Sequence, residues 1–138
     1  MNYLLWALLG LLAYTFVAPL MSIATTEVPS NVAVIISNSM LVVAALAVVA
    51  FSREPVVEYL THPDAPYMYA AGICLAVGIL AYYRALSMGP VSVVVPVFGM
   101  FIVTSSIIGF IALDEAITAR KLTGIAFAVL AVYLTSVE

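Results

Sequence analysis

Apolar and polar positions in this chain are sorted into long blocks, not alternated residue by residue. Five apolar blocks run from Tyr3 to Ile23, Asn31 to Phe51, Pro66 to Leu86, Val91 to Leu113 and Leu122 to Val137. A bilayer core of roughly 30 Å needs about 20 apolar helical residues at about 1.5 Å each. Four blocks meet that length, and the fifth is short and partly interfacial. Runs such as Ser39 to Phe51 are continuous, and the alternation of a membrane β-barrel is missing. The pattern therefore predicts an all-α membrane protein, a bundle of five transmembrane helices, because isolated strands would leave backbone polar groups unpaired in lipid. Polar residues gather in the connections. Glu27 and Pro29 lie in the first, and Arg53, Glu54, Glu58, His62 and Asp64 in the only sizeable one. Ser87 to Pro90 make a tight turn, and Asp114, Glu115, Thr118, Arg120 and Lys121 mark a corner at a membrane surface. Thr118 is placed to cap the fifth helix.

Composition strengthens this picture. Hydrophobic residues make up 66% of the chain and charged residues 8%, with a mean hydropathy of +1.25, too few charges to cover a water-soluble domain. Ser22 and Ala24 have the spacing of a signal-peptide cleavage site. The first apolar block nevertheless exceeds a signal-peptide core and no Lys or Arg precedes it, so it is read as a span. The net charge of −3 and the lack of a Lys/Arg cluster argue against a nucleic-acid partner. Cys74, the single cysteine, is expected as a small core residue. The lone His62 makes no zinc site by itself, and no Ser-His-Asp set, carboxylate pair or glycine-rich phosphate loop can be assembled. No catalytic residue, metal or cofactor is expected, and the chain does not read as an enzyme. Arg53, Arg120 and Lys121 fall on the side of the N-terminus and Arg84 towards the other. That three-to-one split predicts a multi-pass protein of the cell membrane with its N-terminus in the cytoplasm, and is weak enough to permit insertion both ways.

Polar side chains inside hydrocarbon are costly, so they mark a cavity or a helix contact. Ser37 and Asn38 on the second helix and Thr104 on the fourth are candidates for a substrate pathway, with interhelical or backbone hydrogen bonding as the other explanation. Tyr82, Tyr83 and Arg84 could supply an aromatic wall and a guanidinium to an anionic or zwitterionic metabolite, and Tyr14 could line the same path. Arg84 is also close enough to its helix end to reach the interface instead. Pro19 and Pro96 interrupt their helices and are hinge candidates. Glu115 and Arg120 are expected to form a helix-end ion pair.

Tyr83, Arg84, Ala85, Leu86, Pro90, Pro96, Glu115 and Gly124 follow one another at a characteristic spacing. In this the chain resembles an EamA domain of the drug/metabolite transporter superfamily over essentially its full length. The resemblance implies a transporter. Most members of that family look like two five-helix units in tandem, facing opposite ways around the substrate path, whereas this chain holds one. It implies, then, a dimer of oppositely oriented units, as an antiparallel homodimer or with a separate paired half, that moves small-molecule metabolites by secondary or facilitated transport, with export favoured. The chain departs from relatives of this superfamily in having no Asp, Glu or Lys within a helix core, and Asn38 stands where many EamA domains carry an arginine.

Small residues recur four apart at Gly72 and Ala76, Ser105 and Gly109, and Gly124 and Ala128. Such pairs let helices approach closely in membrane lipid. They keep two alternatives open, a non-transporting membrane subunit that assembles with a partner, and a component of a lipid-carrier flippase.

Overall fold

The computed structural model describes residues 3–113 and 116–136, and the regular structure there is α-helical. The helices are α1 (Tyr3–Thr15), α2 (Val17–Ala24), α3 (Ser30–Ser52), α4 (Val56–Tyr59), α5 (Ala65–Leu86), α6 (Val91–Gly99), α7 (Phe101–Ala112) and α8 (Ala119–Ser136). Pairs α1/α2 and α6/α7 each make one interrupted crossing, giving five spans: Tyr3–Ala24, Ser30–Ser52, Ala65–Leu86, Val91–Ala112 and Ala119–Ser136. The first four hold 22 or 23 residues and the fifth 18, lengths of about 33 Å and about 27 Å. The chain is thus a multi-pass, all-α membrane protein.

The fifth span starts at Ala119, ahead of its apolar block, so Arg120 and Lys121 lie in its first turn. The Thr118 hydroxyl accepts the Lys121 N–H at 3.3 Å and its carbonyl accepts the Leu122 N–H at 3.0 Å, which is how the cap extends the helix beyond its hydrophobic limit. The large connection also contains more structure than its polarity suggests. Within it are the single helical turn α4 and a bond from the Tyr69 hydroxyl to the Leu60 carbonyl at 2.8 Å. Arg53 closes α3 in the left-handed region, φ 56°, with its N–H on the Val49 carbonyl.

The two proline-bearing spans are interrupted differently. The first breaks at Phe16, three residues before Pro19, where the proline ring crowds the preceding turn. In the fourth, Pro96 stays inside α6, and the interruption falls beyond it, at Met100. There the Met100 N–H bonds to the Val97 carbonyl at 3.2 Å, a tightened turn that follows Gly99, a residue of low helix propensity.

Internal contacts divide the chain into two compact units, residues 1–88 and 89–138. In the first, α5 packs against α2 and α3, and α1 continues into α2. Its buried residues include a set of small ones, Ala18, Ser30 and Ala33, and Tyr82, Tyr83 and Leu86 at the end of α5, with Ala65 at that helix's start. Ser30, Ala33 and Ser37 recur at intervals of three and four, one face of α3 without bulk, which is what a close α3–α5 approach requires. Ala33→Leu is accordingly expected to destabilise the protein by about 1–3 kcal/mol through overpacking. Ile35→Leu, at a position 66% exposed, is expected to leave stability unchanged, and thermal unfolding in detergent compares them. In the second unit α6 packs against α7 and α8, α7 touches α8, and Val103 and Gly109 are buried.

Little else is covered. Between 0% and 11% of each span is buried within the chain, an exposure that only lipid or another protein surface can accommodate. Cys74, expected in the core, is exposed on α5. The small-residue positions Gly72 and Gly124 are likewise open, since a Cβ added at either would meet nothing within 4 Å. Among the described residues neither glycine makes a close helix approach within its own unit. The reason is common to all three: when lipid is the solvent, an apolar or small residue has no obligation to face the protein.

Candidate functional site: a tyrosine and amide cluster inside the first unit

Hydroxyls within the spans mostly return their protons to their own helices. Thr15, Ser52, Ser106 and Thr123 each donate to the carbonyl four residues back at 2.8 Å, which lets them sit in hydrocarbon without an external partner. Thr104 behaves the same way, bonding the Phe101 and Met100 carbonyls at 3.2 and 3.4 Å, and it lies exposed in the second unit.

A different arrangement is found where α3 meets α5. Ser37 donates to the Ala33 carbonyl at 2.9 Å, and its oxygen meets the Tyr83 hydroxyl at 3.5 Å. The second distance exceeds that of a strong hydroxyl bond, so each oxygen keeps capacity for another partner. The Asn38 amide nitrogen donates to the Val34 carbonyl at 2.9 Å and lies 3.5 Å from the Ser37 hydroxyl. The amide oxygen makes no hydrogen bond among the described residues and keeps its acceptor capacity. Tyr83 and Tyr82 are 4% and 6% exposed, with ring centroids 6.1 Å apart and tilted by 50°. Tyr14, on α1, is largely exposed. Ser37 lies about 10 Å along α3 from its start and Tyr83 about 5 Å from the end of α5. The cluster therefore sits in the outer third of the span, toward the connection between α2 and α3.

Three residues expected to line a pathway, Ser37, Tyr82 and Tyr83, are thus gathered in one place, with Asn38 beside them. Arg84 stands apart. Successive helical residues step about 100° around the axis, so it leaves the face that buries Tyr82 and Tyr83 and lies exposed in the last turn of α5. That end of a helix favours a cation. Glu115, expected to pair with Arg120, lies outside the described residues. The small residues Ala18, Ser30 and Ala33 were not singled out from the sequence. Their signal was the spacing of Ser30, Ala33 and Ser37, obscured by the more obvious glycine pairs elsewhere.

Such a constellation, of hydroxyls, an amide and phenols inside apolar spans, offers hydrogen-bonding groups and, among the described residues, no nucleophile beside a base. A model of the EamA-like transporter family matches residues 1–137. The chain belongs to that family. Comparisons with curated proteins and with solved structures returned no match. As an EamA domain of the drug/metabolite transporter superfamily, the protein supplies one five-helix unit of that fold and functions in membrane transport, not in catalysis. The five spans of the EamA domain account for the apolar blocks.

Proposed function

We propose that this protein moves small polar or amphipathic metabolites across the cell membrane, with export as the working direction, through a path that includes Tyr14, Ser37, Asn38, Tyr82 and Tyr83. The observation that carries the reading is the meeting of Ser37 and Tyr83 hydroxyls from two different helices at 3.5 Å, beside Asn38. A phenol pair and an amide suit an uncharged or zwitterionic solute better than a strong anion, because the guanidinium of Arg84 lies off the cluster face.

In this reading the whole of residues 1–138 works as one EamA-like domain, and two such domains in opposite orientations enclose the path. The physical basis is alternating access, in which one unit rocks against an inverted one about a site between them. An antiparallel homodimer is favoured over a separate partner half because the charge bias is weak: Arg53, Arg120 and Lys121 against Arg84. Extensive exposure of every span, and the open faces at Gly72 and Gly124, leave room for a second copy. The N-terminus is cytoplasmic in the favoured orientation. Transport is facilitated, or coupled through groups other than buried carboxylates, since the acidic residues of the described chain, Glu27, Glu54, Glu58 and Asp64, all lie in connections.

Counterflow in liposomes containing only this protein tests the proposal. Liposomes preloaded with a neutral amino-acid mixture should accumulate labelled amino acid transiently above empty controls. Absence of counterflow for neutral, zwitterionic and amphipathic solutes alike, with both orientations present in the vesicles, would overturn it.

A further inference from the structure

The connection between α3 and α5 is polar in composition but not on every side. Within it, α4 and the helical residue Leu60 that follows place Val56, Val57, Tyr59 and Leu60 on one arc of about 160°, since successive residues step about 100° around the axis. Glu58 falls opposite the middle of that arc. The four apolar residues are nevertheless exposed, Val57 at 79%. A turn with one apolar side needs an apolar partner for it, and its own unit supplies none.

Two features of the backbone suit this turn to a membrane interface. Its polar groups are satisfied locally. The N–H groups of Val56, Glu58, Leu60 and His62 donate to the carbonyls of Glu54, Pro55, Val57 and Tyr59 at 3.0, 3.2, 3.3 and 3.4 Å. Asp64 N–H donates to His62 Nδ1 at 3.2 Å, and Pro55 and Pro63 carry no N–H. Leaving water is costly chiefly for unpaired backbone groups, so this pattern lowers the cost of entering the headgroup layer. The turn is also tied down. Tyr69 lies four residues into α5, about 6 Å along it, and its hydroxyl donates to the Leu60 carbonyl at 2.8 Å. Helical side chains lean toward the N-terminus of their helix, so the bond is made beside the first turn of α5 and not in the water beyond it.

The flanks identify the partner. Phe51, in the last turn of α3, and Tyr67, in the first turn of α5, are 89% and 77% exposed, so the lipid-facing surface of the spans reaches the connection from both sides. A single turn offers too little area for a stable contact with another protein. An apolar arc with a carboxylate behind it matches the headgroup boundary, which is apolar below and wet above.

We infer that α4 is an interfacial anchor that lays Val56, Val57, Tyr59 and Leu60 into the boundary between headgroups and acyl chains of the leaflet in which α3 ends, with Glu58 turned to water. Tyr69 holds it there. The inference depends on the spans and not on the solute path.

Cys74→Ala removes the single native cysteine. In that background Val57→Cys, Leu60→Cys and Glu58→Cys would each carry a nitroxide, in the full chain reconstituted in phosphatidylcholine vesicles. Collision with oxygen, which concentrates in the bilayer, is compared with collision with a neutral nickel chelate, which stays in water. The oxygen-to-chelate ratio at positions 57 and 60 should exceed that at position 58 by about fivefold or more. Adding Tyr69→Phe should lower the ratio at position 57 by about twofold or more, because the turn is then released from α5. Val56→Cys reads the apolar arc from another position, and circular dichroism confirms that each variant retains its helices. Equal ratios on both sides of the turn, as for a segment in water, or low access to both reagents at positions 56, 57 and 60, as for a protein contact, would each overturn the inference.

Discussion

Replacing Asn38 with Leu is expected to cut initial flux in proteoliposomes by about tenfold or more while the protein remains folded. The expectation rests on which of its bonds Asn38 uses internally. Its amide nitrogen bonds the Val34 carbonyl and approaches Ser37, contacts within one helix whose loss leaves α3 with all its backbone bonds. The amide oxygen is the group left to accept from a solute, and the loss of one solute hydrogen bond of about 1.5 kcal/mol corresponds to roughly a tenfold loss of affinity. Tyr83→Phe is the companion substitution. It keeps the ring that is 96% covered and removes only the hydroxyl facing Ser37. Flux should fall by a factor of about three to ten, with stability altered by about 1 kcal/mol or less. Arg84→Lys, which keeps the charge balance between the two sides, should leave flux within about twofold, because that side chain is exposed and off the cluster face. Initial-rate measurements on the three variants at equal reconstituted amounts check the set. Unchanged flux in Asn38→Leu and Tyr83→Phe would remove the cluster from the path.

Fixing the orientation of the chain is expected to abolish flux, and mixing two oppositely fixed variants to restore it. Glu58→Lys with Thr61→Lys would raise the positive count on the N-terminal side from three to five and hold that side in the cytoplasm. Thr26→Lys and Glu27→Lys with Arg53→Asn would reverse the bias, from three against one to two against three. All these positions are exposed, and asparagine tolerates the left-handed backbone at residue 53. Each variant alone should give flux at the level of empty membranes, whereas co-expression should recover at least half that of the original chain. This all-or-none behaviour follows from alternating access by inverted units. Full activity from either variant alone, with labelling of both termini confirming a single orientation, would exclude the antiparallel homodimer.

How far the sequence itself reached can be judged from particular elements. Five crossings were legible because the cost of exposing helix backbone and apolar side chains to the wrong solvent is summed over about 20 residues. No single side chain decides it, and the family spacing from Tyr83 to Gly124 lies in the same string of residues. Thr118 was readable as a cap because capping is a bond between neighbours in sequence. The start of α8 at Ala119 was not, since Arg120 and Lys121 interrupt the apolar pattern that marks a span.

Everything that depends on which face of a helix meets which other face was left to the tertiary structure. Cys74, Gly72 and Gly124 have the composition of interior residues and lie open, while Ser30 and Ala33 pack against the tyrosine-bearing helix. In a soluble protein, hydrophobicity would separate these cases, because water penalises the exposed set. In a membrane the surrounding lipid is as apolar as the protein interior, so that signal vanishes and only shape and hydrogen bonding choose the contacts. The same cause explains the site. Ser37, Tyr82 and Tyr83 were conspicuous individually as polar groups in hydrocarbon, but their meeting at one end of α5, and the departure of Arg84 from it, came from helix rotation. Along the chain Tyr82, Tyr83 and Arg84 are adjacent, and on the helix the two tyrosines are buried and the arginine is not.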